Sequence, residues 1–67
     1  MELSARNNLK ARVKDLKLGE VAAEVVLDVG GQEMCSTITV ASVKRLGLKV
    51  GDEVIAVIKA SSVIIGK

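Results

Sequence analysis

The 67-residue chain has no histidine, no aromatic residue and a single cysteine, Cys35. Without histidine it has no catalytic triad, no cysteine–histidine dyad and no imidazole base for reactions near neutral pH. A single cysteine excludes an internal disulfide, and the additional lack of histidine excludes an ordinary structural zinc site. Without Phe, Tyr or Trp, the chain offers no surface on which unpaired bases stack. These absences argue against an enzyme and against a nucleic-acid-binding protein.

The chain also lacks long apolar runs and a strong charge of either sign. No run approaches the roughly 18 residues of a membrane span, and Met1 to Arg6 lack the apolar core of a secretory signal. The net charge of +2 is too small to indicate a polyanion as partner. We interpret Cys35 as a small hydrophobe in a reducing compartment. We therefore expect a cytoplasmic protein that binds neither membranes nor nucleic acid.

Short length makes this chain marginal as a monomer. A domain of this size buries only about 60% of the surface that its unfolded chain exposes. Small domains compensate with disulfides, metals or oligomerisation, and the first two are excluded here. Apolar residues make up 49% of the chain and are mostly aliphatic, which favours a dense β core. We therefore expect one domain over residues 1–67 that folds as a homo-oligomer.

Apolar periodicity predicts five strands and one short helix. Gly30-Gly31 is typical of a tight hairpin turn. Val43 and Leu46 are three residues apart, which predicts a helical face, with Thr39 as N-cap and Gly47 at the end. The predicted strands cover residues 9–16, 21–29, 34–40, 54–58 and 63–65. This order predicts an all-β fold: a five-stranded OB-type barrel with the helix between strands 3 and 4. The fourth strand, wholly apolar, is expected to be buried on both faces.

Polar residues cluster at the ends of these elements. The clusters are Ser4 to Asn7, Thr39 with Ser42, and Lys59 to Ser62. They supply two cations, several hydroxyls and the N–H groups of a helix start, a set that suits an anion. Taken singly, each has an ordinary explanation, since hydroxyls at helix starts are usually caps and exposed cations are usually solvated. The carboxylates show no spacing typical of an acid–base pair. Periodicity alone thus predicts a small β barrel and leaves anion binding open.

Five segments at matching separations make the sequence more specific. It resembles the molbindin family, also called Mop or transport-associated OB domains, over essentially the whole chain. The segments that carry this resemblance are Ser4-Ala5-Arg6-Asn7, Thr39 to Val43, Arg45 to Leu48, Gly51 to Val54, and Ile58 to Ala60 followed by Ser62 to Ile64. The resemblance implies intracellular storage or buffering of molybdate or tungstate. It also implies a hexamer, a trimer of dimers, with the oxyanions held between subunits.

The resemblance also implies which residues bind the oxyanion. They are Ser4, Ala5 and Arg6 of the opening motif, Thr39 and Ser42 at the helix start, and Lys59 and Ala60 near the end, with Ser61 a weaker candidate. No cofactor and no protein-bound metal ion are implied, since the molybdenum or tungsten enters only as the oxyanion. The sequence does not rank molybdate against tungstate. A nucleic-acid-binding OB domain is the alternative, and the missing aromatic residues and low net charge count against it.

Overall fold

The computed structural model describes residues 7–67. Four antiparallel strands form one sheet in the order β3-β2-β1-β4. A short helix, α1, lies between the third and fourth strands, as the sequence predicts. The elements are β1 (Asn7–Leu18), β2 (Ala22–Val29), β3 (Gln32–Thr39), α1 (Val40–Leu46), β4 (Glu53–Ile58) and a 3₁₀ turn at Ala60–Ser62.

One face of the sheet carries the core, and a bulge in β1 keeps that face apolar. Val13 pairs with Leu27 and Leu16 pairs with Val25, so β1 has one more residue than β2 over this interval. Alternation alone would place Leu16, three residues after Val13, on the opposite face. The extra residue, Lys14, returns Leu16 to the core side. The buried cluster comprises Ala11, Val13, Val25, Leu27 and Ala56.

Helix α1 confirms the predicted caps. Thr39 has the extended conformation of an N-cap, and its side chain accepts a hydrogen bond from the Ser42 N–H. Gly47 ends the helix in the left-handed conformation with φ 64°, where a side chain would be strained. Val43 is buried, but Leu46 is 62% exposed, so only part of the predicted apolar face packs within the chain.

Two predictions about the C-terminal half are wrong for the single chain. Val63 to Ile65 form no strand, and the sheet does not close into a five-stranded barrel. β4 is not buried on both faces, since Ile55 is 50% exposed. The reason is that an apolar segment becomes a strand only where a neighbour pairs with its backbone. In the described chain β3 and β4 remain the two edges of the sheet, and no further strand lies between them.

Candidate functional site

Thr39 and Ser42 form a hydrogen-bonded pair where β3 passes into α1. The Ser42 N–H donates to Thr39 Oγ1 at 3.0 Å, and Thr39 Oγ1 donates to Ser42 Oγ at 2.9 Å. The Val40 N–H donates to the Val21 carbonyl at 2.8 Å, which ties the helix start to the turn before β2. The position of both hydroxyls is therefore fixed by contacts within one chain.

Arg45 belongs to the same group, although the sequence indicated it only as the first residue of the segment Arg45 to Leu48 that carries the family resemblance. Its Nη2 lies 3.5 Å from Ser42 Oγ. Residues three apart on a helix are neighbours on its surface, so the spacing of Ser42 and Arg45 was the available indication. Thr39, Ser42 and Arg45 are called the helix cluster below.

Lys59, Ala60 and Ser61 form the second predicted group, called the C-terminal cluster below. Lys59 directly follows β4 and has extended backbone geometry, and the Ser62 N–H donates to its carbonyl at 2.8 Å. All three residues are exposed. Within residues 7–67, no carboxylate forms an ion pair with the Lys59 side chain. Its ammonium group is therefore free of any described counter-ion.

The sheet places these two clusters at opposite ends of β1. Ile58, next to Lys59, pairs with Asn7, the first residue of β1. Thr39 pairs with Ala22 of β2, and the adjacent Ala23 pairs with Leu18, the last residue of β1. β1 is the longest strand of the sheet, with twelve residues, and the longest dimension of the structure is 34 Å. One chain therefore does not bring the two clusters together.

The remaining predicted ligands, Ser4, Ala5 and Arg6, lie outside the described residues. The first described residue after them is Asn7, which pairs with Ile58. Arg6 directly precedes Asn7, the strand partner of Ile58, and Lys59 directly follows Ile58. The pairing relates the opening motif to the C-terminal cluster through the connectivity of the chain.

Two cations of β1 are already paired with carboxylates. Lys14 Nζ lies 2.7 Å from Glu33 Oε1, and Arg12 Nη2 lies 3.2 Å from Glu53 Oε1. The hydrogen bond to Glu33, together with its charge, raises the pKa of Lys14, and the same contact lowers the pKa of Glu33. Both pairs are solvent-exposed, so each contributes little to stability. These cations are less available to an external anion than Lys59.

Two open cavities flank the sheet, and no predicted ligand among residues 7–67 lines either of them. One, of about 590 Å³, is lined by charged residues of the Arg12–Glu53 region, including Lys10 and Asp28. The other, of about 530 Å³, is apolar and lies between the edge strands, with Met34 and Ile38 on one side and Ile55 and Val57 on the other. The apolar cavity, called the edge cavity below, is also lined by the core residues Val13, Val25 and Leu27.

The described part of the chain offers neither a metal-binding cluster nor a membrane-spanning helix. Residues 7–67 contain no group of three or more His, Cys, Asp or Glu side chains that could hold a metal ion. In the same range, no helix has the length and apolar character needed to cross a membrane.

Comparison with known proteins assigns a family to the whole fold. The TOBE domain model matches residues 3–65. A probable molybdenum-pterin-binding protein of Haemophilus influenzae is 48% identical over 67 residues, covering 98% of this chain and 97% of the relative. Relatives of this length are named as binding proteins, consistent with a non-enzymatic role.

Solved structures agree with this assignment. A molybdate-binding protein from Sporomusa ovata superposes with a TM-score of 0.96 at 42% identity, covering 100% of both chains. The cytoplasmic molybdate-binding protein ModG, solved with molybdate bound, gives a TM-score of 0.84 at 44% identity, covering 90% of this chain and 43% of ModG. The chain therefore belongs to the TOBE domain family and, within it, to the molbindin (Mop) group of molybdenum-pterin-binding and molybdate-binding proteins.

Proposed function

We propose that the protein binds molybdate or tungstate and buffers or stores it in the cytoplasm, with the oxyanion held between subunits of a homo-oligomer. The observation that carries the proposal is the full-length likeness to a molybdate-binding protein at a TM-score of 0.96. ModG, which was solved with molybdate bound, is described as cytoplasmic and as binding by a cooperative mechanism. Cooperativity is expected where subunits share a ligand.

The separation of the two clusters supports a site between subunits. The helix cluster offers hydroxyl donors and a guanidinium, whereas the C-terminal cluster offers exposed backbone and an ammonium with no counter-ion among residues 7–67. Since they lie at opposite ends of β1, a site that uses both takes each from a different chain. Ser4, Ala5 and Arg6 would join Lys59, Ala60 and Ser61 on one subunit. Thr39 and Ser42 would come from the other.

The electrostatics suit a dianion. A tetrahedral dianion loses strong hydration on entering a site, so charge and donors must replace the lost water. Arg6 and Lys59 supply two positive charges, and each charge-assisted hydrogen bond contributes about 1.5–3 kcal/mol. Neutral hydroxyls of Thr39 and Ser42 contribute less individually and fix the orientation of the anion. The charge of Arg6 and Lys59 together equals that of the dianion in magnitude.

Exposed apolar surface supports the oligomer. Ile64 is 92% exposed and Ile65 is 85% exposed, and the edge cavity is lined by the same kind of aliphatic side chain. The C-terminal segment of a second copy would pair with the β3 or β4 edge and cover this cavity. Such an exchange would supply the fifth strand that the sequence predicts. We propose a hexamer, a trimer of dimers, as the assembly.

Elemental analysis and calorimetry test the function directly. The protein, expressed with molybdate and tungstate in the medium, is purified and assayed for Mo, W, S and P. Titration calorimetry with sodium molybdate then measures affinity and stoichiometry, and sedimentation equilibrium measures the mass. We expect bound Mo or W and a mass well above 7.0 kDa. A folded protein that binds neither oxyanion, or a monomer that binds molybdate fully, would contradict the proposal.

A further inference from the structure

The contacts of the helix cluster constrain how Ser42 can be used. Thr39 Oγ1 accepts the Ser42 N–H, and the two hydroxyl oxygens lie 2.9 Å apart. Arg45 Nη2 lies 3.5 Å from Ser42 Oγ. A guanidinium has donors and no acceptor, so Ser42 Oγ is the acceptor in this contact. The Ser42 O–H is then left to donate to Thr39 or to a ligand.

Arg45 is set apart from its neighbour Lys44 by this contact. Both residues occupy the last turn of α1 and carry the same charge. Of these two residues, only Arg45 forms a side-chain hydrogen bond within residues 7–67. No carboxylate described there forms an ion pair with it. Its charge is therefore neutralised by no described group and lies against the hydroxyl that the proposed site uses.

We propose that Arg45 is a positioning residue of the oxyanion site, which holds Ser42 Oγ as an acceptor so that the Ser42 O–H is presented to the anion. The inference rests on the proposed function and adds a positioning residue beside the predicted ligands. A guanidinium that donates to a hydroxyl oxygen also polarises it, which strengthens the bond that this hydroxyl donates. The effect of Arg45 on binding is therefore transmitted through Ser42.

A double-mutant cycle distinguishes this role from general charge. Molybdate affinity is measured by titration calorimetry on the intact oligomer of the parent, Arg45→Ala, Ser42→Ala and the double variant. Lys44→Ala is the matched control, since it removes the same charge from the same helical turn. We expect Arg45→Ala to lower the affinity about fivefold and Lys44→Ala less than about twofold. In the Ser42→Ala background, we expect Arg45→Ala to have less than half of that effect.

A conservative variant provides a second readout. Lysine retains the charge of Arg45 without its planar fork of donors, so Arg45→Lys is expected to recover only part of the lost affinity. Thermal unfolding is measured for each variant, and we expect Arg45→Ala and Lys44→Ala to unfold at the same temperature. Equal affinity losses for these two variants would overturn the inference, as would an Arg45 effect that persists undiminished without Ser42. Absence of molybdate binding by the folded parent would instead refute the proposed function, and this inference with it.

Discussion

The two polar ends of the sheet differ in how the chain constrains them. At the helix cluster, Thr39, Ser42 and Arg45 are joined by hydrogen bonds, and the helix start is tied to Val21. At the C-terminal cluster, Lys59 has an exposed side chain and residues 63–67 form no regular element. One half of the proposed site is thus preorganised within a subunit. The other half must be ordered by assembly or by the ligand, and ordering a lysine side chain costs up to about 1.5–2 kcal/mol.

Disrupting the C-terminal segment should have the largest effect. We expect Ile64→Asp with Ile65→Asp to dissociate the oligomer, because two charges would have to be buried in the edge cavity of another copy. Molybdate affinity should fall with assembly, by far more than tenfold. Sedimentation equilibrium and calorimetry on the same samples measure both quantities.

Its control keeps the apolar character of the segment. Ile64→Val removes one methylene group, and we expect the mass and affinity of the parent to be retained. An oligomer that survives the double Asp substitution would show that this segment does not contribute to assembly. In that case neither the helix cluster nor the C-terminal cluster would depend on a partner subunit.

Lys59→Ala is expected to rank second. Removing this ammonium leaves a dianion undercompensated, so the loss should be at least about 1.5–3 kcal/mol, or roughly tenfold or more in affinity. Arg6→Ala should behave in the same way. Because the Lys59 side chain has no described partner in the subunit, stability should not change. Calorimetry gives the affinity and thermal unfolding gives the stability.

Lys49→Ala is the matched control, since Lys49 is also an exposed lysine but lies in the turn between α1 and β4. We expect its molybdate affinity to equal that of the parent. If Lys59→Ala and Arg6→Ala both bound molybdate as tightly as Lys49→Ala, the assignment of the two cations as ligands would be wrong.

Thr39→Ala should affect stability and binding together. Loss of an N-cap side chain costs about 1 kcal/mol of folding free energy, and the hydrogen bonds that hold Ser42 disappear with it. Thr39→Ser retains the hydroxyl and should retain both properties. Urea unfolding at fixed protein concentration and calorimetry measure the two effects. An unchanged stability in Thr39→Ala would contradict the view that this end is held by its own hydrogen bonds.

The sequence predicted the local structure well because local structure depends on nearby residues. Thr39 and Gly47 determine the ends of α1 through short-range hydrogen bonds and backbone conformation, and both predictions are confirmed. Gly30 and Gly31 form the predicted hairpin turn with positive φ. The bulge at Lys14 was not predicted. The apolar alternation breaks at Lys14-Asp15 in the sequence, but only the pairing with β2 shows that β1 has an extra residue there.

Predictions that depend on other chains succeeded less well. Val63 to Ile65 have the composition of a strand, but composition does not specify which chain supplies the neighbouring strand. The assigned ligands remain predictions, since Ser4, Ala5 and Arg6 lie outside the described residues and the other two groups are separated along β1. Arg45 was missed because its spacing to Ser42 also fits an ordinary exposed helical cation.

The smallest effect is expected at the Lys14–Glu33 pair, which belongs to neither cluster. Because the pKa of Glu33 is lowered in the folded state, its stabilising contribution is present near neutral pH and is lost as the pH falls through that lowered value. The pKa of Lys14 is raised, so its contribution is lost only as the pH rises through that raised value. The free energies of unfolding of the parent and of Glu33→Gln, measured in urea, should therefore differ slightly at neutral pH and become equal in acid. Glu20→Gln is the control at an exposed carboxylate. Molybdate affinity at neutral pH should be unchanged, and a loss in Glu33→Gln would show that charges outside both clusters contribute to binding.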